Sequence, residues 1–157
     1  MDDGAKLSWE DFRVGRTWIH GYRTVTEAEI VSFARQYDPL EIHVDPVQAR
    51  ESPLGVFCAS GIHTLAIAQR LLCEAILLHT RVVAGGGIDK LRMRVPVVPG
   101  DSLRIRVRVG DAWPHARKPE SAWIVLLVDL LRQDERVVLD YRLTVLIQRA
   151  ESNGTPD

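Results

Sequence analysis

The chain has 157 residues, enough to bury a substantial core and too few for two ordinary domains, so one domain over 1–157 is expected. Apolar residues make up 46% and charged residues 26%, which excludes wholesale disorder and a fibrous class. A formal net charge of -1 excludes a global pull toward nucleic acid or an anionic membrane.

The N-terminal Met1-Asp2-Asp3-Gly4 is acidic and lacks an apolar secretory core. Residues 1–8 and 150–157 read as loose termini. A first strand is expected over Thr17–Thr24. Thr26-Glu27-Ala28-Glu29 has the form of a capping box, opening a helix with Ile30, Phe33 and Ala34 on one face that ends near Tyr37-Asp38-Pro39. A second short helix starts at Asp45, with Pro46 in the first helical position, where its missing N–H costs nothing. Ser52-Pro53-Leu54-Gly55 is a loop.

The segment from about Ser60 to His79 reads as a helix. Its apolar stripe (Ile62, Leu65, Ala66, Leu71, Leu72, Ala75, Ile76, Leu78) is too broad for a helix resting on a surface and predicts cover on several sides. His63, Gln69, Arg70 and Glu74 make it a poor membrane span. Cys58 and Cys73 form neither a disulfide framework nor a metal-ligand spacing and read as buried thiols in a reducing compartment. The expectation is a soluble cytoplasmic protein without metal, cofactor, membrane or nucleic-acid partner.

After Gly85-Gly86-Gly87 the period changes to two. Leu91, Met93 and Val95 alternate with Lys90, Arg92 and Arg94; then, beyond a Pro99-Gly100-Asp101 turn, Leu103, Ile105, Val107 and Val109 alternate with Arg104, Arg106 and Arg108. The arginines predict a solvated outer sheet face, with coenzyme A phosphates as the competing reading. Trp113–Pro119 reads as a polar loop. Two further strands fit Ala122–Arg132 and Arg136–Gln148, the first so continuously apolar that it belongs in the middle of the sheet. Periodicity alone therefore gives an α+β class with an antiparallel sheet.

Asp38-Pro39-Leu40-Glu41-Ile42-His43-Val44-Asp45 lies between a helix and a loop. A carboxylate and an imidazole five residues apart across a proline-constrained turn can converge on one water, as hydration requires: a base takes a water proton and an acid supplies one to carbon. The same spacing also fits a plain turn, with Asp38 bonding local N–H groups and His43 facing solvent.

This segment resembles the hydratase motif of the MaoC-like (R-specific enoyl-CoA hydratase) family, with Asp38, His43 and Asp45 at matching positions and Pro39 matching a variant form. Cys58-Ala59-Ser60-Gly61-Ile62-His63-Thr64 is similar to the start of that family's central helix. Gly87-Ile88-Asp89-Lys90-Leu91-Arg92 and Arg94-Val95-Pro96-Val97-Val98-Pro99-Gly100-Asp101 resemble its next strand and turn, so the likeness runs from about Trp9 to Arg149. The resemblance implies a hotdog fold, a sheet around a long central helix, and a homodimer. It implies a lyase of fatty acid metabolism that hydrates trans-2-enoyl groups carried on coenzyme A or a carrier protein.

By carry-over, Asp38 and His43 hold and activate the water. Ser60 and Gly61 bind substrate, the Gly61 N–H meeting the thioester oxygen as a helix N-terminus is suited to do. The plain alternative for Ser60-Gly61 is an N-cap followed by a small residue for close packing. Leu40 stands where the family's forms have Asn or Gln, and Glu41 stands where both have Pro. The competing functions are a hotdog thioesterase, which would need a helix carboxylate such as Glu74, and a non-catalytic acyl-thioester-binding protein. His63, one turn into the central helix, reads as a packed, hydrogen-bonded core histidine.

Overall fold

The computed structural model describes residues 6–150, so the expected looseness of 1–5 and 151–157 lies outside the described residues. Within them the chain is tied down earlier than expected. Leu7 donates to the His79 carbonyl at 2.7 Å and accepts from the Arg81 N–H at 3.0 Å. Asp11 accepts from the backbone N–H of buried Ser8 at 2.9 Å, closing a 3-10 turn at Trp9–Asp11. Residues 7 and 8 are therefore part of the folded body, because their backbone groups find partners there.

The elements follow in the order β1 (Thr17–Thr24), α1 (Glu27–Tyr37), α2 (Glu41–Val44), α3 (Pro46–Glu51), α4 (Gly61–Ala75), β2 (Val82–Met93), β3 (Ser102–His115), β4 (Lys118–Arg132) and β5 (Val137–Gln148). The strands form one sheet in the order β1-β3-β4-β5-β2, with every neighbouring pair antiparallel. This is the α+β plan expected, and the continuously apolar β4 is its middle strand.

Alternation decides the two faces of the sheet. Leu103, Ile105, Val107 and Val109 are all fully buried. The arginines between them point to the other face, where Arg106 pairs with Asp129 and Arg104 with Glu135. Against the inner face lies α4, through Ile67, Ala68, Leu71 and Leu72, spaced three and four apart. Burying a Leu or Ile of this kind contributes about 1.5–3 kcal/mol.

Cover on several sides is not what one chain provides: the sheet occupies one side of α4, and Ile62 on the other remains 55% exposed. By length and composition Gly61–His79 is apolar enough to cross a membrane. Here its Ile67, Ala68, Leu71, Leu72 and Ile76 belong to the same packed core as the strands.

Two further expectations are corrected. The strand after the helix does not start beyond the glycines but runs through them from Val82, because Gly86 packs under Trp123. A Cβ there would stand 2.7 Å from that ring and 3.2 Å from the Thr144 carbonyl oxygen. Lys90, at a positive φ of 53°, marks a bulge in β2 that breaks the alternation of Leu91 and Met93. Trp113–Pro119 is not a loop but the tip of the β3–β4 hairpin. Pro114 is tolerated in β3 because β1 pairs only as far as Arg108, so no partner on that side asks for its N–H.

Candidate active site

The site is built where α1 ends and α4 begins. Thr26 accepts from the Glu29 N–H at 3.2 Å and starts α1 as expected. The Glu29 carboxylate does not complete the box; it is bound by Arg23 instead. Asp38 caps the far end of α1, its N–H donating to Ala34. Pro39 disfavours helical backbone at Asp38, so the chain turns there.

After the turn comes α2, four residues long and missed by periodicity because one turn is too short to show a period. It turns His43 inward: the imidazole is 7% exposed, which rules out the solvent-facing reading. Asp45, the motif's last acid, accepts from the N–H groups of Val47 and Gln48 at 2.8 and 3.1 Å. It is the N-cap of α3, a structural role. Leu40 and Glu41 both lie exposed at the start of α2.

Asp38 and His43 converge. His43 Nε2 stands 3.8 Å from Asp38 Oδ2. That is too long for a direct hydrogen bond and short enough for one small polar molecule to touch both atoms. Each partner is held from behind. His43 Nδ1 lies 2.7 Å from the carbonyl oxygen of Cys58, which only accepts, so Nδ1 carries a proton and donates it. In the neutral ring the free lone pair is then on Nε2, facing Asp38. The Ser60 hydroxyl donates to Asp38 Oδ2 at 2.6 Å and, as N-cap of α4, accepts from the Ile62 N–H at 3.3 Å.

Ser60 was expected to touch substrate; its hydroxyl is committed to Asp38 and to the helix. Gly61 is the first residue of α4. Its lack of a side chain lets Met93 of β2 close over the helix start, where a Cβ would stand 2.5 Å from the methionine methyl. The Cys58 thiol is buried 3.9 Å from His43 Nδ1, and burial pushes its pKa up, which keeps it protonated. Among the described residues no group of three His, Cys, Asp or Glu is arranged to hold a metal ion. Neither the Cys58 carbonyl nor the Ser60–Asp38 bond was legible as such in the sequence, since both join residues far apart in the chain. Ser60 at a helix start was the one available signal.

Residues 13–122 match the family model described as "MaoC like domain". Over 143 residues the chain is 31% identical to the uncharacterized protein YdeM of Bacillus subtilis, covering 91% of this chain and all of that one. It is 28% identical to a 3-hydroxybutyryl-CoA dehydratase of Methylorubrum extorquens over 92% of this chain and 87% of the relative. Among solved structures, a MaoC-like dehydratase from Rhodospirillum rubrum superposes with a TM-score of 0.87 at 33% identity, covering 93% and 99% of the two chains. A Mycobacterium tuberculosis protein described as having a double hotdog fold matches with a TM-score of 0.74 at 20% identity, covering 98% of this chain and 47% of that one. The architecture described above is thus a hotdog fold.

Proposed function

The chain belongs to the MaoC-like domain family, and we propose that it catalyses reversible addition of water to a trans-2-enoyl thioester, giving the 3-hydroxyacyl thioester, with Asp38 and His43 as the acid–base pair. Hydration and dehydration of acyl thioesters is the reaction class that family membership supports. The single observation that carries the finer reading is the 3.8 Å gap between His43 Nε2 and Asp38 Oδ2. Both side chains are fixed from behind, His43 by the Cys58 carbonyl and Asp38 by Ser60.

In the forward direction, water in that gap loses one proton to His43 Nε2 while its oxygen bonds to the β-carbon. The π electrons move onto the thioester oxygen, where the N–H of Gly61, at the positive end of α4, meets the developing charge. The proton then returns from the His43–Asp38 pair to the α-carbon, so the elements of one water are added. Carrier-bound and coenzyme A thioesters present the same reacting atoms.

The thioesterase reading finds little support. Glu74, the helix carboxylate it would use, is bound by Arg70 and lies 3.6 Å from His20 on the surface. The test is a panel of trans-2-enoyl-CoA thioesters followed for both enoyl absorbance and free thiol. Loss of enoyl absorbance without thiol release is expected. Thiol release as the main event, or no change in either signal, overturns the reading.

A homodimer is part of the same proposal. β2 forms one edge of the sheet and leaves Val82, Val83, Ile88 and Met93 exposed, with Ile62 and Leu78 of the helical segment bare as well. Unpaired edges and apolar patches of this kind invite pairing. The double hotdog neighbour is about twice as long as this chain, as two such units in one polypeptide would be. Light scattering at micromolar concentration should give the dimer mass; a monomer alone would overturn this part.

A further inference from the structure

Asp101, on the turn that leads into β3, is 4% exposed, and among the described residues no other aspartate or glutamate is buried so deeply. The mechanism above gives it no task. A carboxylate in the interior is costly unless its oxygens are hydrogen-bonded, and both of these are. Oδ2 accepts from the Val98 N–H at 2.9 Å, and Oδ1 accepts from Gln133 Nε2 at 3.0 Å. The Asp101 N–H donates back to the Val98 carbonyl at 3.1 Å, so side chain and backbone close the same turn. Pro99 and Gly100 are its two central residues; Gly100 has a φ of 91°, which glycine adopts without strain. The turn is docked on Val25, which precedes the N-cap of α1. Gly100 N–H donates to the Val25 carbonyl at 2.8 Å, and Val25 N–H donates to the Asp101 carbonyl at 2.9 Å.

What this turn holds leads to the proposed acid–base pair. Val97 immediately precedes it and is buried, and the Val97 carbonyl accepts from the Ala59 N–H at 2.8 Å. Ala59 lies between the two residues that fix the pair from behind. On one side the Cys58 carbonyl accepts from His43 Nδ1 at 2.7 Å; on the other the Ser60 hydroxyl donates to Asp38 Oδ2 at 2.6 Å. Residues 58–60 are buried and belong to no helix or strand, so no regular ladder sets their position. Their backbone is anchored by the Ala59–Val97 bond and by a longer one of 3.4 Å from the Cys58 N–H to the Ile42 carbonyl.

Resting on the hydratase reading of that pair, we propose that Asp101 is a positioning residue for the reaction. By locking the Val98–Asp101 turn it holds the Val97 carbonyl against Ala59, and through Ala59 it sets both the Cys58 carbonyl and the Ser60 hydroxyl. The tautomer of His43 and the aim of Asp38 therefore depend on one remote carboxylate that touches no substrate. Peptide units are planar and rigid, so a shift of Ala59 is passed to both neighbours at once.

The experiment compares four variants with the wild type. Asp101→Ala removes the acceptor for the Val98 N–H, and Asp101→Asn keeps one. Gln133→Ala takes away the other partner of the same carboxylate but leaves the turn's own bonds, which makes it the control for a purely structural role. Gly100→Ala strains the turn through its positive φ alone, since a Cβ there meets nothing within 4 Å. For each protein kcat and KM are measured on a short trans-2-enoyl-CoA, together with the melting temperature and the ¹⁵N spectrum of the His43 ring, assigned by its loss in His43→Gln.

Asp101→Ala should lose about 10- to 100-fold in kcat with KM little changed, the usual cost of misplacing reacting groups by about 1 Å. Its His43 spectrum should shift from a single Nδ1–H tautomer to a mixture. Asp101→Asn should recover most of both, and Gln133→Ala should melt lower with kcat and spectrum unchanged. A folded Asp101→Ala with the wild-type kcat and His43 spectrum overturns the proposal. So does a Gln133→Ala that loses as much kcat as Asp101→Ala. If Asp101→Ala does not fold, Gly100→Ala decides: kcat and tautomer moving together support the proposal, and neither moving overturns it. The spectrum also separates this proposal from the reading it rests on. A His43 tautomer that responds to Asp101→Ala, in a protein that hydrates no enoyl thioester, supports the positioning role and overturns the hydratase reading.

Discussion

His43 and His63 lie close to the same helix start and are both more than nine-tenths buried, yet their surroundings differ in kind. His43 has one nitrogen fixed by the Cys58 carbonyl and the other turned to a carboxylate that is itself held by Ser60. His63 is held by a ring face, and neither of its nitrogens has a hydrogen bond. Burial alone therefore does not make an acid–base group. The acid–base role proposed for this site needs a defined tautomer and a second titratable partner across a short gap, and of the two histidines only His43 has both.

The sharpest way to break this comparison is to remove each side chain's proton chemistry. Asp38→Asn and His43→Gln should each lower hydration of a short trans-2-enoyl-CoA by about 10²–10⁴-fold, the usual worth of a proton-transfer group. The double variant should lose much less than the product of the two losses, since the pair acts as a unit. His63→Gln should stay within a few-fold of the wild type on a short alkyl substrate. Rates near wild type in Asp38→Asn, with an unchanged melting profile, would sink the assignment.

Ser60→Ala probes the support behind Asp38. It removes the donor to Asp38 Oδ2 and the N-cap of α4 together. About 10-fold in kcat and about 1 kcal/mol of stability are expected to go. Ser60→Thr, which can keep both bonds, should recover most of each; equal loss in both variants would mean the hydroxyl does neither job.

A smaller effect should appear in the pH dependence of stability. Desolvation holds the His63 imidazole below its ordinary value of 6.5; Glu29 opposes the shift and Arg23 adds to it. The unfolded chain then takes up the proton first as pH falls. The contribution is present in full above pH 6.5 and is lost as pH drops through and below that value. His63→Leu should accordingly lose less melting temperature than the wild type between about pH 7.5 and about pH 5.5, the range over which an ordinary imidazole titrates. An identical drop in both proteins would contradict the desolvation argument.

The smallest effect belongs to the outer sheet face. Arg106 shares an exposed ion pair with Asp129, and Arg104 pairs with Glu135 beneath the ring of Tyr22. With these partners in place, Arg106→Ser should cost less than about 1 kcal/mol and leave KM for coenzyme A thioesters unchanged. A rise in KM that shrinks with added salt would revive the phosphate-binding reading.

Much of the architecture was legible because it rests on local rules. Thr26 and Asp45 name two helix starts through side chains that bond their own backbone, and Leu103 to Val109 name a face by alternation. The site was legible only as a list. Asp38 and His43 are five apart in sequence, but their convergence depends on α2, too short to leave a periodic trace, and on the carbonyl of Cys58, fifteen residues further on. His63 was expected to be packed and hydrogen-bonded; it is packed and unbonded, a distinction that no spacing encodes.

What the sequence determined by itself is therefore the set of elements and which side of each is apolar, since propensity, caps and periodicity act within a few residues of the chain. It also named the acids and histidines available for chemistry. What only the tertiary structure decided is which polar atoms face one another. Ser60 serves Asp38, Asp45 serves a helix end, Glu29 leaves its capping box for Arg23, and the Cys58 carbonyl chooses the His43 tautomer. Hydrogen bonds are directional over about 3 Å, so they depend on how distant segments are packed together rather than on the order in which residues occur.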